Sequence, residues 1–204
     1  MTLAQSLWAA NADLAAEATA HPFVTGIADG TLPRERFAGY VAQDAFFLEA
    51  FTRAYALGVA HSPDRATLDV FADLLAGARE ELRLHAGYAR RWDIDLAAVV
   101  PAPATLAYTD FLLATASLGG VAVTCAAMTP CMRLYAHLGQ SSAGRATGDY
   151  TEWVDTYADA AFEELAGTLE RLLDATGTDG PDVRGAYRRA MQLELGFFTA
   201  AWIG

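Results

Sequence analysis

The sequence has little of what several classes of protein depend on. Two cysteines, Cys125 and Cys131, occur among 204 residues, which is too few for a disulfide framework. Basic residues are also scarce, 14 against 25 acidic ones, and a net charge of −11 repels phosphate backbones and anionic membranes. No apolar run is long enough for a transmembrane helix, and the N-terminus lacks the basic segment of a signal peptide. We therefore predict a reduced, cytoplasmic protein that binds neither nucleic acid nor membrane.

Apolar residues with helical spacing occupy nearly the whole chain. Hydrophobic residues make up 53% of the sequence, and no alternating strand pattern is present. We predict one all-α domain over residues 1–204, a bundle of seven or eight helices. The predicted helices span about 3–20, 31–60, 65–92, 103–117, 121–138, 151–175 and 182–202. The segment 21–31 is expected to interrupt the helices, and the Gly/Ser-rich segment 139–150 is expected to be a mobile surface loop.

Two carboxylates lie inside apolar helix stripes. Asp44 falls within the aromatic-rich stripe of the second predicted helix, and Glu194 falls within the stripe of the last one. Burying a carboxylate without partners costs several kcal/mol. Either each is held by a structural bond to an arginine or tyrosine, or both face a polar pocket within the bundle. The pattern alone leaves these interpretations open.

Cys131 directly follows Pro130 within a predicted helix. A proline inside a helix removes one amide and is expected to kink it, which is one way to present the next side chain. Cys131 is therefore a candidate nucleophile, although a free cysteine more often serves as a small buried hydrophobic residue. Tyr108 and Tyr157 are interpreted as core tyrosines whose hydroxyls each find one partner.

Metal ligands at a suitable spacing are scarce. His85 has a carboxylate at helical spacing, Glu81, and the two are interpreted as a surface pair. The last helix carries Glu194 but no histidine, whereas a di-iron bundle needs several inward-facing Glu/His pairs. We predict no metal site and no required cofactor.

Four segments, in their order and spacing, resemble the TenA family, known as thiaminase II or aminopyrimidine aminohydrolase. They are HPFVTGIADGTLPRERFAGYVAQDAFFLEAF at 21–51, TPCMRLYAHLG at 129–139, YTEWVDTYADAAF at 150–162 and MQLELGFF at 191–198. The resemblance implies a haem-oxygenase-like helical fold and a homotetramer. It also implies membership of the branch that keeps the catalytic cysteine, here in Pro130-Cys131 followed by Tyr135.

The same resemblance assigns roles to individual residues. It implies that Cys131 is the nucleophile, that Glu194 exchanges a proton with a ring nitrogen, and that Tyr157 holds Glu194 in position. It places Asp44 at the exocyclic amine of the substrate. The remaining residues expected to contact the substrate are Phe47, Tyr108, Tyr135 and Phe197. Phe47 stands where the family often has tyrosine, so ring stacking is kept while one hydroxyl bond is lost.

The implied reaction converts 4-amino-5-aminomethyl-2-methylpyrimidine, or thiamine, to the hydroxymethylpyrimidine through addition of the cysteine to the ring. It needs a thiolate and a route for protons, but no metal or organic cofactor. Two alternatives stay open. The chain could be a binding or regulatory protein that uses the same pocket without turnover, or a metal-dependent oxidase of the same fold.

Overall fold

The computed structural model describes residues 1–146 and 148–204, with the side chains of Leu84, His85 and Tyr88 outside the described set. Ten α-helices and two short 3₁₀ helices occur in this part of the chain, with no strand. The α-helices are α1 Leu3–Ala10, α2 Ala12–Ala20, α3 Pro22–Asp29, α4 Arg34–His61, α5 Arg65–Arg91, α6 Pro103–Leu118, α7 Val121–Ser142, α8 Thr151–Ala158, α9 Ala160–Thr176 and α10 Pro181–Ile203. The 3₁₀ helices are Leu96–Ala98 and Gly148–Tyr150. The all-α prediction is confirmed, with more and shorter helices than expected.

Two of the predicted helices are each divided by a polar side chain. The segment 3–20 breaks at the buried residue Asn11. The side-chain amide of Asn11 donates to the Leu7 backbone carbonyl across 2.8 Å. The segment 151–175 breaks at Asp159, whose carboxylate accepts from the Ala161 amide across 2.7 Å. Short polar side chains bond to nearby backbone groups and so favour helix ends over helix interiors. Helical periodicity alone does not reveal such helix ends.

The segment 21–31, expected to be irregular, forms helix α3. Pro22 occupies its first turn, where a missing amide is harmless, and the His21 ring nitrogen accepts from the Phe23 amide across 3.2 Å. Gly30 ends the helix in the left-handed conformation with φ of 76°. The proline and glycine that suggested a break are the start and stop signals of a short helix.

Helix α7 extends through the first part of the predicted mobile loop, 139–150. Gly139 is buried in α7 at the crossing with α8, where an added Cβ would lie 2.4 Å from the Tyr157 carbonyl carbon. At the other end Tyr150 is buried, and its hydroxyl donates to the Leu32 carbonyl across 2.5 Å. The loop prediction is therefore wrong for these residues, and Thr147 lies outside the described residues.

We expect Gly139→Ala to lower the free energy of unfolding by about 1–3 kcal/mol, the usual cost of overpacking. The new methyl group would meet backbone atoms of α8, so that helix and Tyr157 must move. Urea denaturation measures the loss. Gly185→Ala is the matched control, since its Cβ would meet no atom within 4 Å and alanine favours a helix. Equal stability of the two variants would contradict the close crossing.

One hydrophobic core contains residues from all ten α-helices. Helix α4 packs against α5 and α6, while α7 packs against α8, α9 and α10. The inward faces of α4, α6, α7, α8 and α10 therefore converge in the centre of the bundle. Within the described chain, no helix combines the length and the apolar character needed to cross a membrane.

Candidate active site

A small cavity of about 20 Å³ lies beside Cys131 and is hereafter the Cys131 cavity. Helix α4 brings Asp44 and Phe47 to its wall, α7 brings Cys131 and Tyr135, and α8 brings Tyr157. The wall also includes Leu48, Phe51, Glu81, Met132 and Phe162. Cys131 and Tyr135 share a face because they are one helical turn apart. Five of the eight residues singled out in the sequence thus meet at one cavity.

Glu194 and Asp44 are both buried, with exposed fractions of 1% and 4%. The Tyr108 hydroxyl donates to Glu194 Oε1 across 2.7 Å, and the Cys131 thiol lies next to the same carboxyl group. Burial raises the pKa of Glu194 to about 8, although its contacts with Tyr108 and Cys131 oppose the rise. Burial raises the pKa of Asp44 to about 7. At neutral pH, Glu194 therefore holds a proton, whereas a large share of Asp44 is ionised.

The Cys131 side chain is a thiol, not a thiolate, in this environment. Burial raises its pKa well above the ordinary value, and the neighbouring charges of Glu194 and Asp44 raise it further. A reaction that uses this sulfur must therefore remove its proton during the attack. Cys125 is fully buried and lies off the cavity wall, and burial raises its pKa to about 12.

The hydrogen bond to Glu194 comes from Tyr108, not from Tyr157 as the sequence suggested. Helix α6 packs directly on α10, which brings the Tyr108 hydroxyl to the carboxylate. Tyr157 instead forms a wall of the Cys131 cavity, and its ring centroid lies 4.8 Å from that of Tyr135. Both tyrosines were correctly placed in the core, but their spacing could not say which one faces Glu194.

Phe47 and Phe197 form successive aromatic layers. The Phe47 ring packs on Tyr108 with centroids 4.6 Å apart, and Phe197 lies behind Phe47 at 6.0 Å. Phe197 lines a separate pocket of about 360 Å³ together with Gln43 and other residues of α4, α6 and α10. Phe197 is therefore one ring removed from the Cys131 cavity.

Three residues at the site were missed as functional candidates: Tyr40, Trp153 and Glu81. Tyr40 is fully buried, and its hydroxyl forms hydrogen bonds with the Tyr135 hydroxyl and with the indole Nε1 of Trp153. Its position one turn before Asp44 was the signal that could have identified it. Glu81 is half-buried and lines the Cys131 cavity, a position that the interpretation as a surface pair did not include. The predicted pair itself cannot be described, because the His85 side chain lies outside the described residues.

A larger pocket of about 200 Å³, hereafter the outer pocket, adjoins the Cys131 cavity. Glu81 and Tyr157 belong to the walls of both. Arg91 and Glu152 form an exposed ion pair at 2.9 Å on its rim, between α5 and α8. The shared wall gives the Cys131 cavity a neighbouring space that continues toward the surface.

The residues of the described chain include no cluster of three or more His, Cys, Asp or Glu side chains that could hold a metal ion. The chemistry available at the Cys131 cavity is that of a thiol, two carboxylic acids and aromatic hydroxyls. Such a set can perform nucleophilic attack combined with proton transfer.

The fold and this site define a class of protein: an all-helical bundle with a central cavity lined by a cysteine and a buried aspartate, and with a buried glutamate next to the cysteine. The chain belongs to the TENA/THI-4/PQQC family, whose model matches residues 8–203. It is 36% identical to an aminopyrimidine aminohydrolase of Halalkalibacterium halodurans, over 84% of this chain and 77% of that one. It is also 36% identical to the mitochondrial bifunctional TH2 protein of Arabidopsis thaliana, over 88% of this chain. This chain covers 34% of the length of the Arabidopsis protein.

Solved structures confirm the predicted architecture. A TenA family transcription regulator from Silicibacter sp. TM1040 superposes with a TM-score of 0.93 and 30% identity, over 100% of this chain and 98% of that one. A domain with a heme oxygenase-like fold from Shewanella denitrificans gives a TM-score of 0.77 at 14% identity, over 98% of this chain and 91% of that one. The second likeness concerns the fold alone, and it matches the haem-oxygenase-like bundle that the sequence predicted.

We expect Tyr108→Phe to lower kcat/KM for an aminopyrimidine about tenfold, because Glu194 loses the hydrogen bond that orients it. The hydroxyl stabilises the ionised form of Glu194, so its removal raises the pKa of Glu194 further. Any alkaline limb of the rate profile that reflects Glu194 therefore moves to higher pH. A pH series of steady-state rates checks both effects, with the buried but remote Tyr187→Phe as control. An unmoved limb would contradict the assigned hydrogen bond.

Proposed function

We propose that the protein is a hydrolase of aminopyrimidines that replaces the amine on the 5-methylene group with hydroxyl. The observation that carries the proposal is the position of the Cys131 thiol next to the buried acid Glu194, on the wall of a cavity that it shares with Asp44 and several aromatic rings. Family membership supports it, as does the name aminopyrimidine aminohydrolase for the Halalkalibacterium relative. The proposed substrates are 4-amino-5-aminomethyl-2-methylpyrimidine and thiamine.

Binding uses the aromatic walls and the two acids. The flat ring packs against Phe47 and Tyr157, with Tyr108, Tyr135 and Phe197 completing or supporting the slot. Asp44 in its ionised form accepts a hydrogen bond from the exocyclic amine. Glu194 in its protonated form faces a ring nitrogen, and the hydrogen bond from Tyr108 fixes its orientation.

Covalent attack comes first. The Cys131 sulfur adds to the ring carbon next to the one that bears the methylene group. Glu194 gives its proton to the ring nitrogen and takes up the thiol proton, so a carbon–sulfur bond forms without free charge. A neutral acid that contacts the thiol suits this exchange better than a carboxylate would, because a carboxylate has no proton to give.

Expulsion and hydrolysis follow. The electron-rich adduct breaks its bond to the amine, which leaves as ammonia after taking a proton, and an exocyclic methylene remains. Water adds to this carbon, the carbon–sulfur bond breaks, and the thiol recovers its proton. The balance is aminomethylpyrimidine plus water giving hydroxymethylpyrimidine plus ammonia, with no cofactor consumed.

We propose that the protein returns a degraded pyrimidine to thiamine synthesis. We place it in the cytoplasm and propose that it is a homotetramer. Exposed apolar side chains support an interface between copies, among them Val100, Leu118 and Ile203 with exposed fractions of 81%, 89% and 66%.

Ammonia release from the aminomethylpyrimidine tests the proposal, with product mass as the second readout. Stoichiometric ammonia and the hydroxymethyl product support it. Binding without release would favour a binding or regulatory protein, and a gel shift at physiological salt would then examine DNA binding. Stoichiometric iron with oxygen consumption would favour an oxidase. Each of the last two results would overturn the hydrolase assignment.

A further inference from the structure

A chain of three buried aromatic side chains connects the outer pocket with the Cys131 cavity. The indole Nε1 of Trp153 donates to the Tyr40 hydroxyl oxygen across 3.3 Å, and the Tyr40 hydroxyl donates to that of Tyr135 across 3.1 Å. Their exposed fractions are 5%, 0% and 5%. Trp153 and Tyr40 lie on the wall of the outer pocket, whereas Tyr135 lies on the wall of the Cys131 cavity.

The direction of this chain is fixed at Trp153, because an indole N–H can only donate. The Tyr40 oxygen therefore accepts from Trp153, and the Tyr40 hydrogen is satisfied by pointing to Tyr135. A buried hydroxyl hydrogen without an acceptor would be costly. Burial raises the pKa of Tyr40 and of Tyr135 well above the ordinary value, so both hydroxyls keep their hydrogens at neutral pH. Tyr135 thus accepts from Tyr40, and its own hydrogen remains for the cavity.

We propose that Trp153 and Tyr40 are positioning residues that fix the Tyr135 hydroxyl as a hydrogen-bond donor toward the bound substrate. They thereby select ligands that present an acceptor at this point of the cavity, such as the lone pair of a ring nitrogen. The inference rests on the proposed function, which supplies a ring with two such nitrogens. A site built to bond one polar atom strongly rejects an analogue that lacks it.

Removing the donor at the start of the chain gives the sharpest test. In Trp153→Phe the Tyr40 oxygen loses its donor and can accept from Tyr135, which draws that hydroxyl away from the ligand. We expect the Kd of 4-amino-5-hydroxymethyl-2-methylpyrimidine, measured by calorimetry, to rise about tenfold. Adding Tyr40→Phe removes the competing oxygen, and the double variant recovers to within about threefold of wild type. A purely structural role predicts that the double variant is the weaker one.

Two backgrounds control this comparison. Tyr135→Phe alone weakens binding about tenfold, and Trp153→Phe then has no further effect because no hydroxyl is left to redirect. Tyr187→Phe is the matched control, since Tyr187 is equally buried but lies outside both cavities. We expect it to leave the Kd within about twofold. A further loss from Trp153→Phe in the Tyr135→Phe background would overturn the inference.

The acceptor on the ligand is identified with two aminopyridines, each with C–H in place of one ring nitrogen. Wild type is expected to bind one of them about tenfold more weakly than the pyrimidine. This difference disappears in Tyr135→Phe and shrinks in Trp153→Phe. Equal discrimination in wild type and Tyr135→Phe would contradict selection by this hydroxyl.

A readout without any pyrimidine separates this inference from the proposed function. The indole N–H resonance of Trp153, assigned by its loss in Trp153→Phe, is expected to shift and to exchange faster with solvent in Tyr40→Phe. An unchanged resonance would overturn the inference. Failure of wild type to bind the pyrimidine would instead refute the proposed function, and with it the role assigned to Tyr135. Tight wild-type binding with a double variant weaker than Trp153→Phe would refute this inference alone.

Discussion

Cys131→Ser abolishes ammonia release from 4-amino-5-aminomethyl-2-methylpyrimidine while the protein stays folded; this is the largest effect that we expect. Serine has nearly the size of cysteine and keeps a polar group next to Glu194, but its hydroxyl is a far weaker nucleophile than a thiol. The residual rate is therefore expected to approach that of the uncatalysed reaction. Product mass spectrometry measures turnover, and the same sample of wild type under single-turnover conditions is examined for a pyrimidine adduct on Cys131.

The matched control for this variant is Cys125→Ala. Cys125 lies six residues earlier on the same helix, is fully buried, and has a pKa raised to about 12 by burial. It lies off the wall of the Cys131 cavity, so we expect its removal to leave kcat nearly unchanged. A folded but inactive Cys125→Ala would show that the wrong thiol was chosen. Normal turnover by Cys131→Ser would remove the covalent mechanism altogether.

The long helices could be predicted because their signals are redundant. Helix α4 was expected at about 31–60 and is found at Arg34–His61, since its apolar stripe repeats over many turns. The short elements were less predictable. The buried Asn11 divides the first predicted helix. Helix α7 continues through Gly139, whose lack of a side chain lets α8 pack closely, into a segment that its composition marks as a loop. Such outcomes depend on one side chain meeting a distant neighbour, which local periodicity does not contain.

The site was predictable where a residue breaks its own helix pattern. Asp44 and Glu194 stood out as carboxylates among aromatic residues, and both are buried at the centre. Glu81 shows the converse case. It lies in a charged stretch of α5, where an acid is unremarkable, yet it lines the cavity. No local pattern separates such a residue from a solvated one.

Side-chain contacts between different helices could not be predicted from the sequence. The family resemblance assigned Tyr157 to hold Glu194, whereas packing of α6 against α10 gives that contact to Tyr108. Tyr40 was counted as one more apolar member of its stripe, although its hydroxyl takes part in the only chain of hydrogen bonds that joins α8 to Tyr135 among the described residues. Hydroxyl directions of this kind follow from three helices at once.

Glu194→Gln is the second variant with a large expected effect, and pH gives it a specific signature. The pKa of Glu194 is raised to about 8 by burial, so the acid is protonated below that pH and can give its proton to the ring. In wild type, kcat/KM is expected to fall as the pH rises through about 8, because the proton donor is lost. Glutamine keeps the shape but cannot exchange a proton, so the rate drops about 100-fold or more, the usual scale of a general acid.

The fall of kcat/KM above about pH 8 distinguishes loss of the Glu194 proton from general damage to the protein. A variant that is only destabilised would keep this alkaline limb. We expect it to be absent from the residual activity of Glu194→Gln. Glu170→Gln is the matched control, because Glu170 is a partly buried acid that pairs with Arg133 at 2.7 Å, away from the Cys131 cavity. It is expected to lower the melting temperature while keeping kcat and the limb near pH 8. If Glu194→Gln stays within tenfold of wild type and keeps that limb, Glu194 is a structural residue, and the proton must reach the ring from Asp44 or from a tyrosine.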